Sequence, residues 1–445
     1  MEDSSNMDIP PVPVSATRLV TCLHRHRMPL IGDDGGLSFR KSFKSCGMIH
    51  KETKALLEIL DQSREELRTA LDGDDPDAAI SVLRKYIPSL ERLLLSCSVQ
   101  QETAVLDVPL EFSWTSAYRT DDKRGRDAAT YKGEALMYEM TMAFCALAGA
   151  HAVRGCGKSR EGEFAHACAS FKEGAGVLDY LHREHLPKWK SMNPEGSSNS
   201  AAWPIECYPG VCASMRKMFL CHSQMMAIGK SLQSNSKRNY GLLHKLTNGV
   251  RLALQKIVKM LRTDAPMQYC KLPVDILKYL STMECVQESI CCYFKSHKLW
   301  SDENYPSGYT ATKKAREALE VRKSSTSKGI PGDINDKSSA LYALLDDVTD
   351  LRGHLDGVAR GRKRDVDTVY FCGYDERWSI DDSEVADIMN CTAYRGQGGD
   401  DLPGPVLLAV AGEEGGDNGE INEYEGMDDE EIAKDLQDKI NRGQL

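Results

Sequence analysis

The sequence of 445 residues has few aromatic residues, 7% of the total, and no run of 18 apolar residues. A transmembrane helix needs about 20 consecutive apolar residues, and a secretory signal begins with basic and then apolar residues, unlike M-E-D-S-S-N-M. We therefore expect a cytoplasmic protein. The spacing C-x-x-C is also absent, and the fifteen cysteines are an odd number, which favours reduced core thiols over a disulfide framework.

Motifs of nucleotide hydrolysis and acyl transfer are missing too. G-C-G-K-S at 155–159 ends like a phosphate-binding loop, but Ala152 stands where the first glycine of G-x-x-x-x-G-K-[ST] is required. The preceding segment also has the pattern of a helix, whereas this loop follows a strand. We predict instead that Gly155 and Gly157 form a helix C-cap and turn. G-x-S-x-G does not occur.

A pair of histidines in L-D-Y-L-H-R-E-H-L-P-K-W, residues 178–189, raises the question of a metal site. The order H-R-E-H matches neither H-E-x-x-H nor H-x-x-E-H, which put zinc ligands on one helix face. Pro187 is expected to end the helix, so that His182 and His185 occupy its last turn and face the negative end of its dipole. The sequence predicts no metal, no cofactor and no enzymatic activity.

Negative charge is concentrated at the C-terminus. Residues 411–445 carry twelve Asp or Glu and three Lys or Arg, a net of −9 out of −10 for the chain. The remaining residues are electrically balanced, which argues against nucleic acid as a partner.

Apolar residues recur with helical spacing from about residue 50 to 362, while strand patterns are rare. The sequence therefore predicts an all-α fold, a solenoid of helical hairpins with a few short strands near the N-terminus and a disordered acidic tail. Breaks at proline, glycine and polar clusters place a first helix at about 51–71 and a second from the D-G-D-D-P turn to about 97. Further helices are placed at about 128–153, 161–185, 205–233, 238–262, 271–300, 308–322 and 338–361.

Two segments are amphipathic enough to be candidates for binding a partner protein. Between Val211 and Leu261 a long stripe rich in methionine belongs mostly to the core but is also typical of a groove that receives an amphipathic helix. In the tail, D-D-E-E-I-A-K-D-L-Q-D-K-I at 428–440 is acidic at its start. It resembles an inverted ubiquitin-interacting motif, in which Ile432, Ala433 and Leu436 would contact ubiquitin; a solvated charged tail is the other reading.

Three segments in order resemble the Bro domain family, the boomerang-shaped helical domain of Alix, Brox and rhophilin. L-E-F-S-W-T-S-A-Y at 110–118 resembles its F-x-W block, and the segment 169–188 resembles its A-x-x-F-x-x-A-A-G-x-F-x-x-L block. R-D-V-D-T-V-Y-F at 364–371 is similar to the element R-D-N-D-F-I-Y that closes the domain. The resemblance covers residues 15–375, between a flexible start at 1–14, a linker at 376–427 and the acidic short helix at 428–445.

The resemblance implies a non-enzymatic adaptor whose concave face binds the C-terminal amphipathic helix of the main ESCRT-III filament subunit. The positions that match the family's contacts are Ala227, Leu242 and Leu246, with Ile228 beside them, and the acidic Glu161. Two positions depart from the family: its lysine one turn after that acid falls on Ala165, and its L-F-N triplet reads M-Y-E at 137–139.

We expect this adaptor to lie in the cytoplasm, peripheral to endosomes, and to serve multivesicular-body sorting or related membrane remodelling. The ending N-R-G-Q-L has no prenylation cysteine, and the start M-E excludes myristoylation. We therefore expect membrane association only through partners. The alternative that the sequence leaves open is a helical scaffold that binds an unrelated peptide and reads ubiquitin with its tail.

Overall fold

The computed structural model describes residues 12–100, 104, 106–118, 130–192, 203–234, 238–322, 329–337, 340–387, 390–394 and 403–408. These residues are mainly helical, as predicted. The α-helices are α1 Val14–Val20, α2 Phe39–Ser42, α3 Lys44–Ile49, α4 Lys51–Asp72, α5 Pro76–Val99, α6 Leu136–Arg160, α7 Phe164–Tyr180, α8 Leu186–Met192, α9 Pro209–Gln233, α10 Tyr240–Asp264, α11 Pro266–Tyr269, α12 Val274–Ser301, α13 Tyr305–Ala318 and α14 Leu345–Asp365.

The strands form one small antiparallel sheet in the order β1 (Leu30–Ile31), β2 (Phe112–Thr115) and β3 (Thr130–Gly133). In the register of the central strand, Trp114 lies opposite Ile31 on one side and Tyr131 on the other. The short strands expected near the N-terminus are thus confirmed.

The chain divides into two compact units. One, here called the sheet unit, comprises residues 26–153, 176–212 and 393–445, and the other, here called the hairpin unit, comprises residues 1–25, 154–175 and 213–392. The sheet unit contains the sheet and the paired helices α4 and α5. In the hairpin unit, α10 packs on α12, α12 on α13, and α13 on α14.

The carboxylate of Glu139 is the polar centre of the sheet unit's core and is fully buried. It accepts hydrogen bonds from Trp114 Nε1 (2.6 Å), Tyr86 Oη (2.7 Å) and Arg64 Nε (2.9 Å). Arg64 also pairs with Asp34. A buried carboxylate must be paired and hydrogen-bonded. The glutamate of M-Y-E meets this requirement through donors on the sheet, α4 and α5.

Helix α6 is long and apolar enough to cross a membrane by length and composition, and it is the one such helix in the described residues. However, 83% of its most apolar window is buried inside the protein. A core helix of a folded domain explains this pattern. The predicted bounds, 128–153, were wrong: residues 130–133 form β3, and the helix runs on to Arg160.

The glycines of G-C-G-K-S therefore lie inside a helix and form no C-cap. A Cβ atom on Gly155 would come within 2.9 Å of the Phe171 ring, so this glycine allows α6 and α7 to approach closely. The turn follows later, where Gly162 has φ +78°, a left-handed conformation that glycine adopts without strain.

Pro187 does not end its helix, contrary to the prediction. The chain makes one π-helical turn at Leu181–His185 and continues as α8 to Met192. The Leu186 N–H bonds to the carbonyl oxygen of Leu181, five residues back. Such a wide turn is a known way for a helix to accommodate a local irregularity, and here it directly precedes the proline.

Candidate functional site

Four of the five residues predicted to contact a partner helix lie on α9 and α10 in the hairpin unit, and Glu161 lies in the turn before α7. Leu242 is 46% exposed and Ala227 is partly exposed. Ile228 and Leu246 are 0% and 4% exposed, so they belong to the core beneath this surface. Their role as direct contacts stays a prediction.

Helix α10 has an outward stripe and a buried stripe because its residues repeat at helical spacing. Asn239 caps its start and accepts a hydrogen bond from the N–H of Leu242 (3.0 Å). From Leu242 the outward stripe continues through Gly249 and Ala253 to Lys256, a length of about 21 Å at 1.5 Å per residue. Its buried residues are Leu243, Leu246, Val250, Leu254, Ile257 and Leu261.

Residues 381–387, here called the strap, lie along α10 although they fall in the region predicted to be a linker. The Ala386 N–H donates to the Lys245 carbonyl oxygen (3.1 Å). Asn248 Nδ2 donates to the carbonyl oxygens of Asp381 and Glu384, both at 3.1 Å. Gln224 Nε2, from α9, donates to the carbonyl oxygens of Leu246 (2.7 Å) and Ala386 (2.9 Å). Side chains of two helices therefore hold the strap by its backbone.

Charges reinforce this attachment. Arg251 pairs with Asp382, and Lys295 Nζ lies 2.5 Å from Glu384 Oε2. His244 Nε2 lies 3.0 Å from the same carboxylate, and His244 Nδ1 lies 3.2 Å from the Cys291 sulfur. Nδ1 also lies 3.2 Å from the Cys291 carbonyl oxygen. With its proton on Nε2, a neutral His244 donates to Glu384, and the Cys291 thiol can donate to Nδ1.

The pKa values of this cluster agree with a neutral histidine beside an ionised glutamate. Burial lowers the pKa of His244 below its usual value and outweighs the nearby carboxylate. Burial alone would raise the pKa of Glu384, but its hydrogen bond with Lys295 and the charge of Lys295 hold it below the usual value. At neutral pH the strap is therefore anchored by one charged pair and one hydrogen bond at this point.

A half-open pocket of about 180 Å³ lies between α9, α10 and the strap. Leu220, Ala253 and Val385 contribute apolar surface, and Lys217, Lys256 and Asp387 bring charges to it. Val385 is 42% exposed, comparable to Leu242. The surface formed by Leu242, Ala227, Val385 and this pocket is here called the groove.

Gly249 is required for the strap to approach α10. A Cβ atom at this position would lie 2.8 Å from the Ala386 carbonyl oxygen and 2.8 Å from Gln224 Nε2. Both distances are shorter than a carbon atom tolerates, so a larger residue would move the strap or break its hydrogen bonds with Gln224.

The acidic position Glu161 is exposed, as a contact residue would be. Its carboxylate lies 2.9 Å from Lys158 Nζ, and Lys158 also lies 3.3 Å from Glu163. Ala165, where the family has lysine, is exposed. The turn approaches the end of α9, because Gln233 Nε2 donates to the Gly162 carbonyl oxygen (3.5 Å).

The two histidines of H-R-E-H do not cap a helix, because the helix continues past them. His185 is buried; its Nε2 lies 2.9 Å from Thr141 Oγ1, and its ring meets Phe144 edge to face. Burial lowers its pKa to about 4, so this histidine is a neutral core residue. Among the described residues, no group of three or more His, Cys, Asp or Glu is placed to hold a metal ion.

The residues predicted to contact ubiquitin, Ile432, Ala433 and Leu436, lie outside the described residues. Sequence reasoning missed the strap and with it Val385. D-D-S-E-V-A-D has no periodicity, and its hydrogen bonds come from helices more than 100 residues away. The one available signal was the polar run at Asn248 and Arg251 on an otherwise apolar helix.

Comparisons with known proteins agree on one fold. A search of the curated proteins finds no match. Among solved structures, a complex of the ALIX BRO1 domain with CHMP4C is 13% identical with a TM-score of 0.61, covering 87% of this chain and 98% of that one. ALIX in complex with the late domain PYKEVTEDL of SIVmac239 is 12% identical with a TM-score of 0.64, covering 95% of this chain and 53% of that one.

A third structure, described as the basis for endosomal targeting by the Bro1 domain, is 13% identical with a TM-score of 0.61, covering 83% of this chain and 92% of that one. At these identities the likeness concerns the fold. The family model of the BRO1-like domain matches residues 46–398, well over half of the chain. The chain therefore belongs to the BRO1-like domain family, as the three sequence blocks indicated.

Proposed function

We propose that this protein is a non-enzymatic endosomal adaptor that binds the C-terminal amphipathic helix of an ESCRT-III filament subunit in its groove. The observation that carries the proposal is the exposure of two large apolar side chains, Leu242 on α10 and Val385 on the strap that is bonded to α10. Exposed apolar surface beside a pocket is typical of a docking site for an apolar helix face.

The dimensions of the groove suit such a ligand. Its stripe on α10 spans about 21 Å from Leu242 to Lys256, and the strap crosses it at Gly249. An incoming helix of roughly four turns would reach both ends of this stripe. Where it crosses α10, the strap adds the exposed side chain of Val385 to the pocket, so an incoming helix would contact apolar surface on both α10 and the strap. The ALIX BRO1 domain, which shares this fold, has been solved in a complex with CHMP4C, and this supports a ligand of the same class.

Membrane association follows from the partner in this proposal. A related Bro1 domain has been described in endosomal targeting, and a cytoplasmic protein that binds ESCRT-III would be found at endosomes for the same reason. Glu161 would contact a basic side chain of the incoming helix, as the resemblance implies.

The experiment is fluorescence anisotropy of a labelled peptide of the CHMP4C C-terminal helix, titrated with wild-type protein, Leu242→Asp and Val385→Asp. Each substitution places a carboxylate that binding must desolvate, so each should weaken affinity at least tenfold. Ile59→Asp is the matched control, because Ile59 is 48% exposed on α4, outside the groove. Equal affinity of all four proteins would refute the groove as the site, and no binding by the wild type would refute the ligand.

A further inference from the structure

We propose that Lys217 and Lys256 form a subsite that recognises a carboxylate of the incoming helix, next to a pocket that receives one of its apolar side chains. This inference rests on the proposed function and specifies the chemistry of the partner. It would explain how a member of this family recognises an acidic ligand although alanine occupies position 165.

The two lysines lie at the same end of the groove. Lys217, on α9, and Lys256, on α10, both line the pocket of about 180 Å³. Lys256 is at the far end of the stripe from Leu242, about 21 Å away along α10, and Lys217 lines the same pocket from α9. The family's lysine position, Ala165, follows the turn that approaches the other end of α9. The two cations thus stand at a different place in the groove.

Both cations are available to a ligand. The charged pairs of the strap join Arg251 to Asp382 and Lys295 to Glu384. Neither Lys217 nor Lys256 forms an ion pair with an acidic residue in the described part of the chain. Asp387 also lines the pocket but has an interaction of its own. Two lysines and one aspartate leave the rim positive.

The pocket between them is apolar at its walls. Leu220, Ala253 and Val385 surround it, and Gly249 has no side chain to fill it. An apolar side chain of a helix fits this space, and an Asp or Glu three or four residues further along the helix lies on the same face. The ligand is therefore an amphipathic helix whose apolar stripe is followed by a carboxylate.

The test is the anisotropy titration of the labelled CHMP4C C-terminal helix with the double variant Lys217→Glu, Lys256→Glu. Loss of two rim contacts should weaken binding about tenfold. A second double variant with Gln at both positions should have an affinity between those of the wild type and the Glu double variant. The control Lys259→Glu makes one Lys-to-Glu change on α10 outside the pocket, half the charge change of the double variant, and should bind like the wild type.

Two further arms identify the carboxylate. In a set of peptides, each carries a single change of one Asp or Glu to Lys. One peptide of this set should bind the Glu double variant more tightly than it binds the wild-type protein. Raising NaCl from 50 to 500 mM should weaken the wild type more than the Gln double variant, because salt screens exposed charges.

The outcomes separate this inference from the proposed function. If the wild type binds and both double variants bind equally well, the subsite is refuted and the groove stands. If Leu242→Asp and Val385→Asp abolish binding while no single peptide change restores the Glu variant, the carboxylate is refuted. If the wild type does not bind at all, both proposals are overturned.

Discussion

Leu242→Asp and Leu246→Asp place the same charge one turn apart on α10, and the structure predicts very different results. Leu246 is 4% exposed and Leu242 is 46% exposed. Removing a buried leucine costs about 2–5 kcal/mol, and a carboxylate in its place adds a desolvation cost of about 1–3 kcal/mol or a shifted pKa. We expect Leu246→Asp to lower the free energy of unfolding by at least about 4 kcal/mol.

Leu242→Asp should lower it by less than about 1 kcal/mol, since a half-exposed position tolerates charge. The assay is urea unfolding followed by circular dichroism. With an m-value of about 3 kcal/mol per M, the Leu246 variant should unfold at a concentration lower by more than about 1 M, and the Leu242 variant near the wild type. Equal midpoints for the two variants would refute the assignment of Leu246 to the core. A binding defect of Leu246→Asp therefore cannot locate the groove.

Four more results follow from the structure. Glu139→Gln should cost about 2–3 kcal/mol in urea unfolding, because Arg64 keeps only Asp34 as a carboxylate partner and an amide group replaces one acceptor oxygen among buried donors; a loss below about 1 kcal/mol would contradict the buried cluster. Gly249→Ala should raise hydrogen exchange at Ala386, and unchanged protection would show that the strap does not depend on this glycine. Burial lowers the pKa of His222 to about 3, so the unfolded state binds the proton first as the pH is lowered from 6.5 to 3. The free energy of unfolding should therefore decrease over this range, and His222→Gln should make the decrease smaller. A maleimide should label Cys270 first, the one exposed thiol of fifteen free cysteines, and faster labelling of a buried thiol would contradict the packing.

Helices with strong local signals could be predicted from the sequence almost to the residue. The pair α4 and α5 was predicted at 51–71 and up to 97, and it spans Lys51–Asp72 and Pro76–Val99. The turn between them contains D-G-D-D-P, and Asp75 caps α5 by accepting from the N–H groups of Asp77 and Ala78. Here the cap, the proline at the first turn and the apolar periodicity all agree.

Errors arose where packing overrides a local rule. Gly155 and Pro187 are helix breakers in isolation, yet both lie in continuous helical segments. Gly155 is needed for the contact with Phe171, and the π-helical turn precedes Pro187. Neither the contact of Gly155 nor the π-helical turn before Pro187 can be predicted from the residues next to them in the sequence.

The site was predictable only in part for the same reason. The resemblance pointed to α9 and α10, and Leu242 is indeed exposed there. Burial of Ile228 and Leu246 depends on how these helices pack, and the strap depends on hydrogen bonds between residues such as Gln224 and Ala386, 162 positions apart. Periodicity finds one face of a helix but not which part of that face another segment covers.

The most direct test of the groove is photo-crosslinking of a CHMP4C C-terminal helix peptide that carries photoreactive leucine in its apolar stripe, followed by mass spectrometry. The account predicts crosslinks to tryptic peptides of α9, α10 and the strap, and their loss when Val385→Asp replaces the wild type. Crosslinks confined to other surfaces, such as the face of α4 that bears Ile59, would contradict it.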